Sequence, residues 1–110
     1  GADWLALVTN DAWFGDWAGP IQHLAQAQMR AIETGRPIAR SANTGISAMI
    51  DPFGRIVASA EMNTEAVFDA PLPEKRETTY ASMGETLTAA LITTLLVMLF
   101  SSSVTKRRSR

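Results

Sequence analysis

Thr9-Asn10-Asp11-Ala12-Trp13-Phe14-Gly15-Asp16, followed by Gly19-Pro20 and Gln22-His23, is the stretch on which the reading of this chain turns. Before it, Leu5-Ala6-Leu7-Val8 is a short apolar run that stops at the turn formers Asn10 and Asp11, the pattern of a buried strand. After it, Pro20 suits the first turn of a helix, where its missing N–H costs nothing. Ile21, Leu24, Ala25, Gln28, Ala31 and Ile32 then recur at helical spacing, Gly35 is a C-terminal stop, and Pro37 follows it. The prediction is a strand, a loop from Thr9 to Gly19 and a helix over 20–34.

Working outward, the period changes after Pro37. Residues 38–41 and 46–50 read as strands separated by Ala42-Asn43-Thr44-Gly45. Asp51-Pro52-Phe53-Gly54 has Pro second and Gly fourth, the type I turn pattern. With a further strand at 55–60, residues 46–60 predict a hairpin. Residues 65–69 are another short strand candidate, and 71–79 read as a polar linker. The fold class is α/β.

Composition narrows the function classes. Apolar residues make up 46% and charged residues 19% of the 110, too apolar for a disordered chain. A net charge of −1 gives no general case for nucleic acid. With no Cys and one His, these residues contain no disulfide framework, no thiolate nucleophile and no self-sufficient His-based metal site. No cofactor or metal is implied.

The last segment differs in kind. Residues 86–105 are 20 positions without a charge, centred on the apolar run 91–100. As a helix that is about 30 Å, the thickness of a hydrocarbon core. Thr88, Thr93 and Thr94 are tolerable there because they bond back to helix carbonyls. Four of the ten basic residues, Lys106, Arg107, Arg108 and Arg110, follow at once. The expectation is a transmembrane helix with its basic tail in the cytoplasm; an apolar helix buried in a soluble core is the alternative.

The motifs together resemble one family. The run from Thr9 to Asp16 with Gly19-Pro20-x-Gln22-His23 is similar to apolipoprotein N-acyltransferases, a membrane branch of the nitrilase superfamily. So are Met29-Arg30-Ala31-x-Glu33-x-Gly35-Arg36-Pro37 and Arg40-x-x-Asn43-x-Gly45-Ile46-Ser47. Asp51-Pro52-x-Gly54-Arg55-Ile56, Thr79-Tyr80 and Gly84 complete a collinear match over nearly the whole chain.

The resemblance implies a partial nitrilase-like αββα sandwich followed by a C-terminal transmembrane helix. Residues 1–70 would be the C-terminal part of the nitrilase-like domain, 71–85 a linker, 86–105 the span and 106–110 the tail. It implies acyl transfer from a phospholipid donor to the amino group of a diacylated lipoprotein acceptor, through a thioester. The setting is the bacterial inner membrane, with the nitrilase-like part periplasmic. The family's Glu–Lys–Cys triad would lie upstream of Gly1, so the chain, which begins without a Met, reads as the C-terminal piece of a larger enzyme, inactive alone. Neither Glu33 nor Lys75 fills the gap.

Three residues are candidates for the site. Asn10, Trp13 and Phe14 follow a strand, where loops often face a pocket, so substrate binding is their functional reading. Otherwise Trp13 and Phe14 plug the fold and Asn10 makes an Asx turn. Trp4 and Trp17 are candidates for the bilayer surface. His23 is expected to pair with a backbone carbonyl. Arg30 and Glu33, three apart, are expected to form an ion pair holding the helix on the sheet. Gly45 is expected to supply a positive φ. Two other functions stay open, a soluble nitrilase-type amidase and a non-enzymatic tail-anchored binding module.

Overall fold

The structure, a computed structural model, describes residues 1–15 and 17–108, with side chains described as far as Phe100. Strand β1 (Leu5–Asn10) runs into a 3-10 turn (Asp11–Phe14) and helix α1 (Ala18–Thr34). Strands β2 (Ile38–Asn43), β3 (Ser47–Ile50) and β4 (Ile56–Ala60) follow, then helices α2 (Thr79–Met83) and α3 (Thr86–Arg108). The strands form one sheet in the order β1-β2-β3-β4. β1 and β2 are parallel, because α1 carries the chain back across the sheet, and the other pairs are antiparallel. The parallel register sets Leu5 beside Ile38 and ends with Asn10 beside Asn43.

The core lies between α1 and one face of the sheet. Leu24, Ala27 and Ala31 meet Ile38, Ala48 and Ile50, with Leu5, Leu7 and Ile46 at the margin. Two of the three helix residues are alanines, so the helix sits close on the strands. Ile21 and Ile32, expected on this face, are exposed. The opposite face has no helix on it among the described residues, and Val8 there is 82% exposed. One helix layer on one sheet is half of the expected sandwich.

The predicted hairpin forms, with an irregularity at Met49/Ile50. Its turn is held by Asp51, whose carboxylate accepts from the N–H groups of Phe53 and Arg55, both at 2.9 Å, and from Arg55 Nε at 2.7 Å. Burial pushes this carboxyl up, but the bonds from Arg55 and Phe53 together outweigh it and hold it below its ordinary 3.8. A lowered folded value means stability that is present above the unfolded value and lost as pH falls through the folded one. Asp51→Asn is therefore expected to cost about 2 kcal/mol at neutral pH. Unfolding curves of variant and parent should converge as the pH falls from 3.8 through the lowered folded value; a gap that persists once the carboxyl is protonated would contradict the assignment.

Residues 65–69 are not a strand. A turn at Asn63, with φ 58°, bonds Asn63 N–H to Thr44 O at 3.0 Å and takes the chain away from the open edge of β4. The chain then returns along the end of α1. Arg76 N–H donates to Gly35 O at 2.8 Å, and Thr78 Oγ1 to Glu33 O at 2.5 Å. Arg36 donates to Ala2 O at 2.7 Å and Arg76 O at 2.9 Å. Gly35 caps α1 with φ 65°, and a β-carbon there would stand 2.1 Å from Arg76 O. The expected linker is thus strapped to the body and contains α2.

Arg30 and Glu33 pair at 2.9 Å, but on the outer side of α1, so they do not hold the helix on the sheet. Hydrogen bonding to Tyr80 of α2, and then to Glu33, raises Arg30 above its ordinary value.

In α3, Thr93 and Thr94 donate to Ala89 O and Ala90 O at 2.8 Å, as expected of hydroxyls without other partners. Leucines, isoleucine, valine, methionine and phenylalanine between 87 and 100 are exposed all round the helix. Among the described residues no helix is long and apolar enough to cross a membrane. The expected span at 86–105 runs past Phe100 into residues whose side chains lie outside the described set, as does the stretch 106–110.

Candidate functional site

The carboxyl ends of β1 and β2 lie side by side, the place where open α/β sheets bind their ligands. Asn10 ends β1 and Asn43 ends β2. Asn43 Nδ2 donates to Asn10 Oδ1 at 3.3 Å, and Ala12 N–H donates to the same oxygen at 3.2 Å. Asn10 therefore makes the Asx turn that starts the 3-10 segment, and its amide is shared between two strand ends.

Beneath that turn sits Asp11, 1% exposed. Its Oδ2 accepts from Arg40 Nη2 at 2.6 Å, and both side chains are fully buried. Its Oδ1 accepts from Thr9 Oγ1 at 3.1 Å and faces His23 Nδ1 at 2.8 Å. A carboxylate only accepts, so that bond puts the hydrogen on Nδ1. Arg40 Nε donates to Ile46 O at 3.1 Å, while Nη1 is buried with no hydrogen-bond partner among the described residues. A buried charge is tolerated only when paired, and Asp11 is what allows a guanidinium between α1 and the sheet.

Two expectations are corrected here. His23 pairs with a carboxylate instead of a backbone carbonyl, because α1 starts directly above Asp11. Gly45 does not supply the positive φ; Thr44 does, at 58°. Gly45 is needed for space, since a β-carbon there would be 2.2 Å from Asp11 Oδ2.

The aromatic residues stand outside this cluster. Phe14 lies edge-on to the His23 ring at 5.6 Å and is 54% exposed. Trp13 is 87% exposed, so it does not plug the fold of the described residues. Trp4 and Trp17 are exposed as well. Beside Asn43 lies an open polar groove of about 430 Å³ lined by Thr44, Asn63, Thr64 and Glu65 among others. Glu33 and Lys75 lie away from this end, Glu33 on Arg30 and Lys75 on Asp3, whose carboxyl the ammonium holds below its usual range.

Asp11 and Arg40 were not singled out from the sequence. The available signal was the alternation in β2. Period two puts Arg40 on the same face as Ile38, and a charge on a core face requires a buried partner.

The arrangement can bind and orient. It offers an exposed aromatic turn, two strand-end amides and a rigid polar support, with Asp11 fully committed to its neighbours. A carbon–nitrogen hydrolase family profile matches residues 1–82, and the chain belongs to that family. Within it, the chain is similar to apolipoprotein N-acyltransferases. It is 50% identical to that of Bradyrhizobium diazoefficiens over 105 residues, which is 94% of this chain and 20% of the relative. It is 54% identical to that of Rhodopseudomonas palustris over 97 residues, 87% of this chain and 18% of the relative. With that of Agrobacterium fabrum it shares 56% over 72 residues, 66% of this chain and 14% of the relative. The chain thus spans about a fifth of the length of these curated relatives or less.

Proposed function

We propose that this sequence is part of an N-acyltransferase that moves an acyl chain from a phospholipid to the amino group of a diacylated lipoprotein. The observation that carries the reading is the 50% identity with an apolipoprotein N-acyltransferase over nearly the whole chain. In this reading a cysteine outside these residues attacks the phospholipid ester. Lysophospholipid leaves, a thioester remains, and the acceptor amine then displaces the thiolate to give an amide. Residues 1–70 complete a nitrilase-like sandwich by packing the open sheet face on a second sheet, and 71–85 link it to the last helix.

In the same reading Asn10, Trp13 and Phe14 are substrate-binding residues. The exposed rings of Trp13 and Phe14 fit an acyl chain, and Asn10 fixes where they start. The apolar surface all round α3 supports a helix covered on every side, and residues 86–105, read as sequence, are long enough to span a bilayer. In this reading the enzyme sits in the bacterial inner membrane, its nitrilase-like part periplasmic and its basic end cytoplasmic.

The test uses a complete enzyme carrying this sequence, in vesicles of labelled phospholipid with a diacylated lipopeptide. Lysophospholipid release that depends on the enzyme is expected, and the 110-residue chain alone should release none. Ammonia release from small amides without phospholipid turnover would replace this reading by the amidase. A topology reporter fused after Arg110 should give a cytoplasmic signal; a periplasmic one would contradict the orientation.

A further inference from the structure

We infer that Asp11 is a positioning residue that presents Trp13 to the acyl chain of the donor, with Gly45 and Gly19 as the small residues that make the presentation possible. The inference rests on the acyltransferase reading above. The aromatic turn is clamped at both ends. At its first residue, Asp11 is bonded to β1 through Thr9, to β2 through Arg40 and to α1 through His23. The Thr44-Gly45 turn closes over the same carboxylate, at a distance only glycine permits. At its last residue, Phe14 packs on the start of α1, where a β-carbon on Gly19 would stand 2.5 Å from Phe14 Cβ. The Phe14 ring meets His23, the residue that also holds Asp11.

Trp13 lies between these clamps and is nonetheless 87% exposed. A large apolar ring on a mobile loop can fold back onto the surface to leave water. Here both ends of the turn, Asp11 and Phe14, are fixed, so the backbone that carries the ring is held outward. An apolar surface held toward solvent in a fixed place is suited to an apolar ligand, because the ordering has already been done before binding. Asp11 touches neither substrate nor reacting atoms in this account. It acts through Trp13.

The prediction separates donor binding from chemistry. In the complete enzyme, Asp11→Asn and Gly45→Ala disturb the same contact from opposite sides, one by weakening the bonds and one by pushing the carboxylate away. Both are expected to raise the KM for phospholipid about tenfold, with kcat for lysophospholipid release and KM for the lipopeptide changed less than about twofold, since misplacing a binding group is felt where that group binds. His23→Phe keeps a ring against Phe14 but frees one bond of Asp11. At a partly exposed position it serves as the well-folded comparison, with a smaller rise of about threefold expected. An unchanged donor KM in folded His23→Phe, or equal losses in both substrates for the other two, overturns the inference. If the parent enzyme releases no lysophospholipid, the acyltransferase reading itself has failed.

Discussion

Arg40→Met is expected to destabilise the protein by about 3–5 kcal/mol, the cost of leaving one half of a buried ion pair without the other. Arg40 and Asp11 both have fully buried side chains and meet at 2.6 Å. Methionine fills much of the space but returns no donor to Asp11 Oδ2 or to Ile46 O. Arg40→Lys should recover only part of the loss, because one point charge cannot serve both acceptors as the guanidinium does. The pair Arg30–Glu33, exposed on α1 at a comparable 2.9 Å, is the internal control. Its removal should change stability far less than the loss of Arg40, because an exposed pair is screened by solvent. Chemical unfolding of the complete enzyme in detergent compares the two. Equal small effects at both sites would mean that the Asp11 cluster is not closed to water.

Trp13→Ala is expected to lower acyl transfer per folded molecule at least tenfold while leaving the unfolding midpoint unchanged. Truncating a buried Trp typically costs about 3–5 kcal/mol. An 87% exposed ring has no such packing to lose, so an effect within about 0.5 kcal/mol is expected. On the proposed acyltransferase reading, its apolar area matters only when an acyl chain covers it. Activity per folded molecule and thermal stability, measured on the same preparation, separate the two roles. Normal specific activity with early melting would make Trp13 a packing residue covered by a part of the enzyme outside these residues.

Local rules in the sequence located most of the fold. Pro20 and Gly35 bracket α1 to within two residues, and Asp51-Pro52-Phe53-Gly54 forms the predicted turn. These signals are legible because each acts within a few residues of itself. The strand expected at 65–69 failed because strand formation requires an edge to pair with, and the turn at Asn63 leads away from it. Ile21 and Ile32 fit the helical period but fall at the sides of a narrow contact made by Leu24, Ala27 and Ala31.

The candidate site was half legible. Asn10, Trp13 and Phe14 are where a loop after a strand should put them, at the carboxyl end of the sheet. The buried support was not, because Asp11, His23 and Arg40 belong to three different elements. Only the parallel register of β1 and β2, with α1 above them, brings the three together. Gly45 shows the same limit. Its need was visible, but the reason is the Asp11 carboxylate against it and not its own φ.

The most direct measurement is the mass of the acceptor. A synthetic diacylated lipopeptide is incubated with the complete enzyme and a phospholipid of one defined acyl chain, and the product is fragmented. The account predicts a gain of that single acyl chain, in amide linkage on the α-amino group of the N-terminal residue. An acceptor recovered with its amino group free, under conditions where the enzyme turns over a small amide, would contradict it.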